Sequence, residues 1–236
     1  AHPFSGDAQH LDADFPEPDV IRVGDTYYMI CATMHFFPGG TLLKSYDLVH
    51  WEIAAHVFER LDDTPAEQLE GEQSIYGKGM WAASLRYHKD TFYVCFASYD
   101  TGKTYIYRTK NINEPWEKRS LDGVYHHPSL LFDEDGRIYM GYGFNEVRIL
   151  ELNDTLTAPK EGGFERLLVE EKQDAYISYE GAHFYKKDGT YYIFVIQWLK
   201  GNLTQREQLC LYGDSLDGEF KKEMVFSENL GFPMKG

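Results

Sequence analysis

Apolar and polar positions alternate in short runs along most of the chain. In four places an apolar strand meets an Asp- or Gly-bearing turn and continues into an aromatic strand. These are Val20-Ile-Arg-Val-Gly-Asp-Thr-Tyr-Tyr-Met29, Ser84-Leu-Arg-Tyr-His-Lys-Asp-Thr-Phe-Tyr-Val94, Ser129-Leu-Leu-Phe-Asp-Glu-Asp-Gly-Arg-Ile-Tyr-Met140 and His183-Phe-Tyr-Lys-Lys-Asp-Gly-Thr-Tyr-Tyr-Ile193. Turn residues flanked by β-branched and aromatic residues predict a hairpin at each. Recurrence at roughly 45 to 65 residues predicts one supersecondary unit used several times, as in propeller blades.

The units are expected at about 18–58, 79–121, 125–158 and 180–226. Units one, two and four close on similar endings: Ser45-Tyr-Asp-Leu-Val-His-Trp-Glu52, Asn111-Ile-Asn-Glu-Pro-Trp-Glu-Lys118 and Ser215-Leu-Asp-Gly-Glu-Phe-Lys221. Residues 59–78 are polar and acidic and read as a loop with room for one short helical turn. No apolar stripe of helical period exceeds two turns, and no Pro-, Gly- and Ser-rich linker interrupts the chain. The expectation is a single all-β propeller domain over residues 1–236.

Composition narrows the function. The net charge is −15, from 23 basic and 38 acidic residues, which argues against nucleic acid as a partner. Aromatic residues make up 16% of the chain, and they suit both strands and sugar-stacking surfaces. Cys31, Cys95 and Cys210 sit in apolar contexts without metal-ligand spacing, so buried free thiols are expected. No apolar run is long enough to cross a membrane as a helix. The chain begins at Ala1 with neither Met nor a signal peptide, and its compartment is not legible.

Several residues could carry chemistry. Glu17 lies between Pro16 and Pro18, which fix its backbone. It reads as a general base or as a rigid acidic entry to a strand. Glu180, between Tyr179 and Gly181, reads as a general acid whose pKa aromatic neighbours and burial would raise, or as a rim carboxylate. Two such carboxylates on equivalent inner positions of two blades suit glycoside hydrolysis. Tyr125-His-His-Pro-Ser129 offers two adjacent histidines; on an extended chain they point to opposite faces, which disfavours their binding one metal ion together. One inward His behind the reacting groups is the better reading. His35 and Phe36 could line the same centre or pack in the core. Trp81 could stack on a sugar or be core, and Arg206 could reach a substrate hydroxyl or be an ordinary surface arginine.

Taken together, the segments carry a resemblance. Phe15-Pro-Glu-Pro-Asp-Val-Ile-Arg-Val-Gly-Asp-Thr-Tyr-Tyr-Met29, Pro38-Gly-Gly-Thr-Leu-Leu-Lys-Ser-Tyr-Asp-Leu-Val-His-Trp51, Gly79-Met-Trp-Ala-Ala-Ser-Leu-Arg-Tyr87, Ser129-Leu-Leu-Phe-Asp-Glu-Asp-Gly136 and Tyr179-Glu-Gly-Ala-His-Phe-Tyr185 occur in the order seen in glycoside hydrolase family 43. The chain resembles most its β-xylosidase and α-L-arabinofuranosidase members. The resemblance implies a five-bladed propeller and exo-acting, inverting hydrolysis of arabinose- or xylose-containing plant polysaccharides. It implies three central carboxylates: a base, an acid and a modulator of the acid's pKa. Glu180 matches the acid. Glu17 stands where the family usually has an Asp base, and His127 where it usually has the modulating Asp. A protonated His127 would lower the pKa of Glu180 rather than raise it. The family's last blade would lie beyond 231–236, so a propeller truncated at its C-terminal end is expected. No cofactor is required. Family members often hold calcium or an ordered water on the axis, and His35 or His183 could lie near such a site. The competing reading is a catalytically weak carbohydrate-binding propeller.

Overall fold

The computed structural model describes residues 14–170, 174–200 and 206–227. Sixteen strands form four antiparallel sheets of four, each a simple up-and-down meander. Blade 1 comprises β1 (Asp19–Val23), β2 (Thr26–Cys31), β3 (Gly39–Ser45) and β4 (Glu52–Phe58). Blade 2 comprises β5 (Met80–His88), β6 (Thr91–Ser98), β7 (Lys103–Thr109) and β8 (Glu117–Asp122). Blade 3 is built from β9 (Ser129–Phe132), β10 (Ile138–Tyr142), β11 (Val147–Leu152) and β12 (Glu165–Val169). Blade 4 is built from β13 (Ala175–Lys187), β14 (Thr190–Leu199), β15 (Glu207–Gly213) and β16 (Lys221–Phe226). The architecture is an all-β propeller, and the described residues form four blades.

The predicted hairpins are the first two strands of each blade. At the β13–β14 turn, Lys187 pairs with Thr190, and Asp188 and Gly189 both have positive φ, 51° and 84°. That is the type I′ conformation the Asp-Gly pair favours. Along β14 the burial alternates strictly, with Tyr191, Ile193, Val195 and Gln197 inward. Two units are longer than expected: the third runs on through β12, and the fourth starts earlier, at Ala175. β12 is nowhere fully buried, so its pattern gave no two-faced signal. Segment 59–78 contains turns and no helix.

Apolar cores lie between consecutive blades. Ile30, Leu42 and Phe58 of blade 1 meet Leu85, Phe96 and Tyr105 of blade 2. Cys95, Ile106 and Leu121 meet Leu130, Met140 and Leu150 of blade 3. Tyr139 and Ile149 meet Phe184, Ile193 and Leu211 of blade 4. Among the described residues no such core joins blade 4 to blade 1. All three cysteines are buried and free.

Arg86 links the innermost strand of every blade. Its Nη1 donates to Asp19 on β1 at 2.7 Å. Its Nε donates to the Leu130 carbonyl and its Nη2 to Ser129 Oγ, both on β9. Nη2 also donates to the Phe184 carbonyl on β13 at 3.2 Å. Asp19 is 3% exposed and also accepts from the Leu85 amide and the Tyr185 hydroxyl. Burial alone would lift its carboxyl, but Arg86 and the His183 contact bring it down to about 2.

Candidate active site

The site lies at one end of the inner strands and is shaped by backbone irregularities. Glu17 precedes β1 and has φ 51°; His127 precedes β9 and has φ 46°. Both stand before a proline, which closes off right-handed helical backbone for them. Non-glycine residues seldom adopt this left-handed conformation, and such strain gathers where function demands it. Glu180 lies on β13 between two register shifts, with Gly181 beside it at φ 70°. A bulge of this kind re-aims a side chain out of the ladder.

These elements surround a cavity of about 270 Å³, lined among others by Glu17, His127, Glu180, His183, Arg206 and Gln208. Glu180 also borders an adjoining cleft formed by Lys78, Trp81, Tyr99, His126 and Phe144. Of the residues expected from the sequence, Glu17, Glu180, His127 and Arg206 therefore share one cavity. Trp81 stands in the adjoining cleft, its ring against Tyr99, His126 and His127 at 5.2, 5.5 and 6.1 Å.

His35 and Phe36 line neither cavity. After β2, Met34 has φ 50° and its carbonyl accepts from the Met80 amide. Beyond this bridge the His35 ring packs against Phe36 and Tyr76, at 4.3 and 4.6 Å. Phe36 and Tyr76 are both well exposed, so the trio forms a rim rather than a lining.

Sequence reasoning chose His127 and passed over its neighbour. His126 Nε2 lies 3.0 Å from Glu180 Oε1, and His126 Nδ1 lies 2.5 Å from the Tyr99 hydroxyl. The expectation that adjacent histidines face opposite ways is corrected here. The positive φ of His127 turns its ring back, and the two imidazoles stack at 4.1 Å with 12° between their planes. Glu180 and the histidine nitrogens come within 4.8 Å of one another. Parallel rings keep their lone pairs in separate planes, however, so the group as arranged does not converge on an ion. A calcium ion fares no better near His183, whose Nδ1 is 3.4 Å from Asp19 Oδ1. The neighbouring Arg86 already supplies a cation there, and calcium prefers oxygen ligands to a histidine nitrogen.

His127 is 7% exposed, and neither of its ring nitrogens has a hydrogen-bond partner among the described residues. Its Nε2 is 3.7 Å from Glu17 Oε1, too long for a hydrogen bond. Burial pushes its pKa down to about 4, so it is neutral at pH 7. The two carboxyls are displaced in opposite directions. Glu17, with its side chain 36% exposed, is raised by partial burial and by the charge of Glu180. Glu180 is lowered: burial would raise it, and the hydrogen bond from His126 leads the effects that outweigh burial. The sequence expectation of a raised Glu180 is reversed because the aromatic environment brings a donor with it.

Comparison with known proteins agrees with this geometry. The profile of the family described as "Glycosyl hydrolases family 43" matches residues 11–220. The chain is 31% identical to a β-xylosidase of Formosa agariphila, over 94% of this chain and 41% of that protein. It is 34% identical to the non-reducing end α-L-arabinofuranosidase BoGH43B of Bacteroides ovatus, over 75% of this chain and 33% of that protein. Among solved structures, a bifunctional GH43-CE protein of Bacteroides eggerthii superposes with a TM-score of 0.85 at 38% identity, covering 91% of this chain and 28% of that one. The chain thus spans less than half the length of these relatives. With its blades, its paired carboxyls and this matched span, the chain belongs to glycosyl hydrolase family 43.

Proposed function

We propose that the chain is the catalytic propeller of an inverting, exo-acting glycosidase that releases xylose or arabinose from plant polysaccharides or oligosaccharides. The observation that carries this reading is the pair Glu17 and Glu180 on one cavity, with Glu180 open to an aromatic cleft. Glu17 is the base that takes a proton from the attacking water. Glu180 is the acid that protonates the leaving oxygen. Trp81 offers a ring for a sugar face, and Arg206 and Gln208 offer donors for hydroxyls. The sugar choice rests on the names of the relatives, a β-xylosidase and an arabinofuranosidase. The scheme needs no cofactor.

Inversion requires Glu17 ionised while Glu180 is protonated. At rest the environments pull the other way. The productive pair is then most populated between the two carboxyl pKa values, which centres activity in acid.

The whole of residues 1–236 is read as one propeller domain, with a fifth blade completing the ring. What supports the fifth blade is an open groove on blade 4 lined by Tyr192, Phe194, Tyr212, Met224 and Val225. These apolar groups suit a packed neighbour, as in the cores between the other blades.

The test is hydrolysis of 4-nitrophenyl β-D-xyloside and α-L-arabinofuranoside by the full-length protein. Proton NMR would follow the first anomer released. Turnover with inversion is expected. Sugar binding without turnover across the acid range would overturn the reading in favour of a carbohydrate-binding propeller.

A further inference from the structure

Glu180 is faced by charged or titratable groups from every side. His126 and His127 come from the β8–β9 connection, Glu17 from the segment before β1, and Arg206 from the residue before β15. His183 follows on its own strand, while Lys78 and Tyr99 stand across the cleft. Only His126 makes a hydrogen bond to it among the described residues. That histidine is held in turn by Tyr99, 27 residues away in sequence.

When His126 is neutral, the two bonds fix where its proton sits; when it is an imidazolium, Nε2 carries an N–H toward Glu180 as well. A neutral imidazole has one donor and one acceptor nitrogen. The Tyr99 phenol stays protonated, since burial raises its pKa further. If Tyr99 donates to Nδ1, the ring proton is at Nε2 and points to Glu180. In the other tautomer a lone pair would face the carboxylate at 3.0 Å, an unfavourable contact. The first arrangement satisfies all three groups.

We infer that Tyr99 is a positioning residue that acts through His126, aiming an imidazole N–H at Glu180 that favours its ionised form, so that this bond sets the fraction of Glu180 carrying the proton for the leaving group. The inference rests on the acid role proposed for Glu180. On this view His126, through its hydrogen bond, leads the tuning of the acid. The sense is opposite to that of a neighbouring carboxylate, which would hold the proton on.

Carbon-13 NMR titration of the Glu180 side-chain carboxyl in the full chain tests this without any need for turnover. His126→Leu removes the donor, and the Glu180 pKa is expected to rise by about one unit. Tyr99→Phe removes only the hydroxyl that selects the tautomer, and a smaller rise is expected. His126→Gln keeps an N–H near the place of Nε2 and should restore the wild-type value. If Tyr99→Phe leaves the Glu180 titration where it was, the relay is wrong, whatever the activity of the protein. If His126→Leu does not raise it, the hydrogen bond is not what holds the carboxylate. Where the protein hydrolyses a xyloside, the acid limb of the rate profile, set by the lower of the two carboxyl pKa values, should move with the NMR value. A merely structural role would lower kcat in every variant and leave the limb in place.

Discussion

Two polar clusters lie a few residues apart on the inner strands, and they are built on opposite terms. Around Arg86, each charged group is answered: Asp19 binds the guanidinium, a backbone amide and a tyrosine hydroxyl. Around Glu17 and Glu180 the accounts are left open. Among the described residues both ring nitrogens of His127 and Nε1 of Trp81 lack hydrogen-bond partners, and Glu17 faces solvent on one side. A buried polar group without a partner is costly, so native proteins keep few of them. The first cluster holds the blades together; the second has donors and acceptors to spare for a ligand. Burial alone would not separate them, since His127 and Arg86 are nearly equally hidden.

The comparison breaks most readily at the hub. Arg86→Met would strand the Asp19 carboxylate and release the bonds from β5 to the three other inner strands. A loss of about 3–5 kcal/mol is expected, the usual result of removing one partner of a buried pair. Urea unfolding followed by tryptophan fluorescence measures it. A loss below about 1 kcal/mol would mean the hub is not structural. At the other cluster the effect should fall on rate instead. Glu180→Gln and Glu17→Gln should each lower kcat on a xyloside by on the order of a hundredfold or more while the unfolding midpoint stays near wild type. Parallel losses of stability would erase the distinction between the clusters.

Acid titration sharpens the contrast through its sign. Folding lowers the Asp19 pKa, so its stabilisation is present above the unfolded value of ~3.9. That stabilisation, on the order of 2 kcal/mol, is lost as pH falls through about 2. Folding raises the Glu17 pKa, so its contribution is full below the unfolded value and is lost as pH rises through the raised one. Unfolding free energies measured across the acid range should therefore show a loss below pH ~4 that persists in Glu17→Gln. The same variant should lack the small decline on the other side. The smallest effect is expected at His127. Asn tolerates its left-handed backbone, and no hydrogen bond is lost, so His127→Asn should change stability by less than about 1 kcal/mol. Ser129→Ala, which removes an acceptor shared by Arg86 and the Phe184 amide, should cost more.

The blades were legible because a hairpin is a local object. Lys187-Asp-Gly-Thr190 carries its turn type and its register in four consecutive residues. β12 was not, since its strand faces are only half-buried. Glu17, His127 and Glu180 could be picked out through ordered motifs. The Tyr99–His126 pair could not. It depends on the backbone of His127 turning both rings to one side, and no residue pattern announces that φ. Arg86 reads in Leu85-Arg-Tyr87 as an ordinary strand arginine. Only the meeting of β1, β5, β9 and β13 makes it a hub.

The three inter-blade cores also bear on how the molecule comes apart. Each couples only blades adjacent in sequence. Apart from the bonds of Arg86 and the contacts of Tyr185 and His183 with Asp19, the described blades are thus joined like links of a one-dimensional array, in which a unit leans on its nearest neighbours. Among the described residues, blades 2 and 3 have a core on both sides, whereas blades 1 and 4 have one each. Amide hydrogens in the middle of β6 and β10 should exchange through the rarest openings, and those of β2 and β15 through commoner ones. Among the described residues the cluster of Arg86 and Asp19 then serves as a fastening that spans the series, converting a row of neighbours into a unit that opens together.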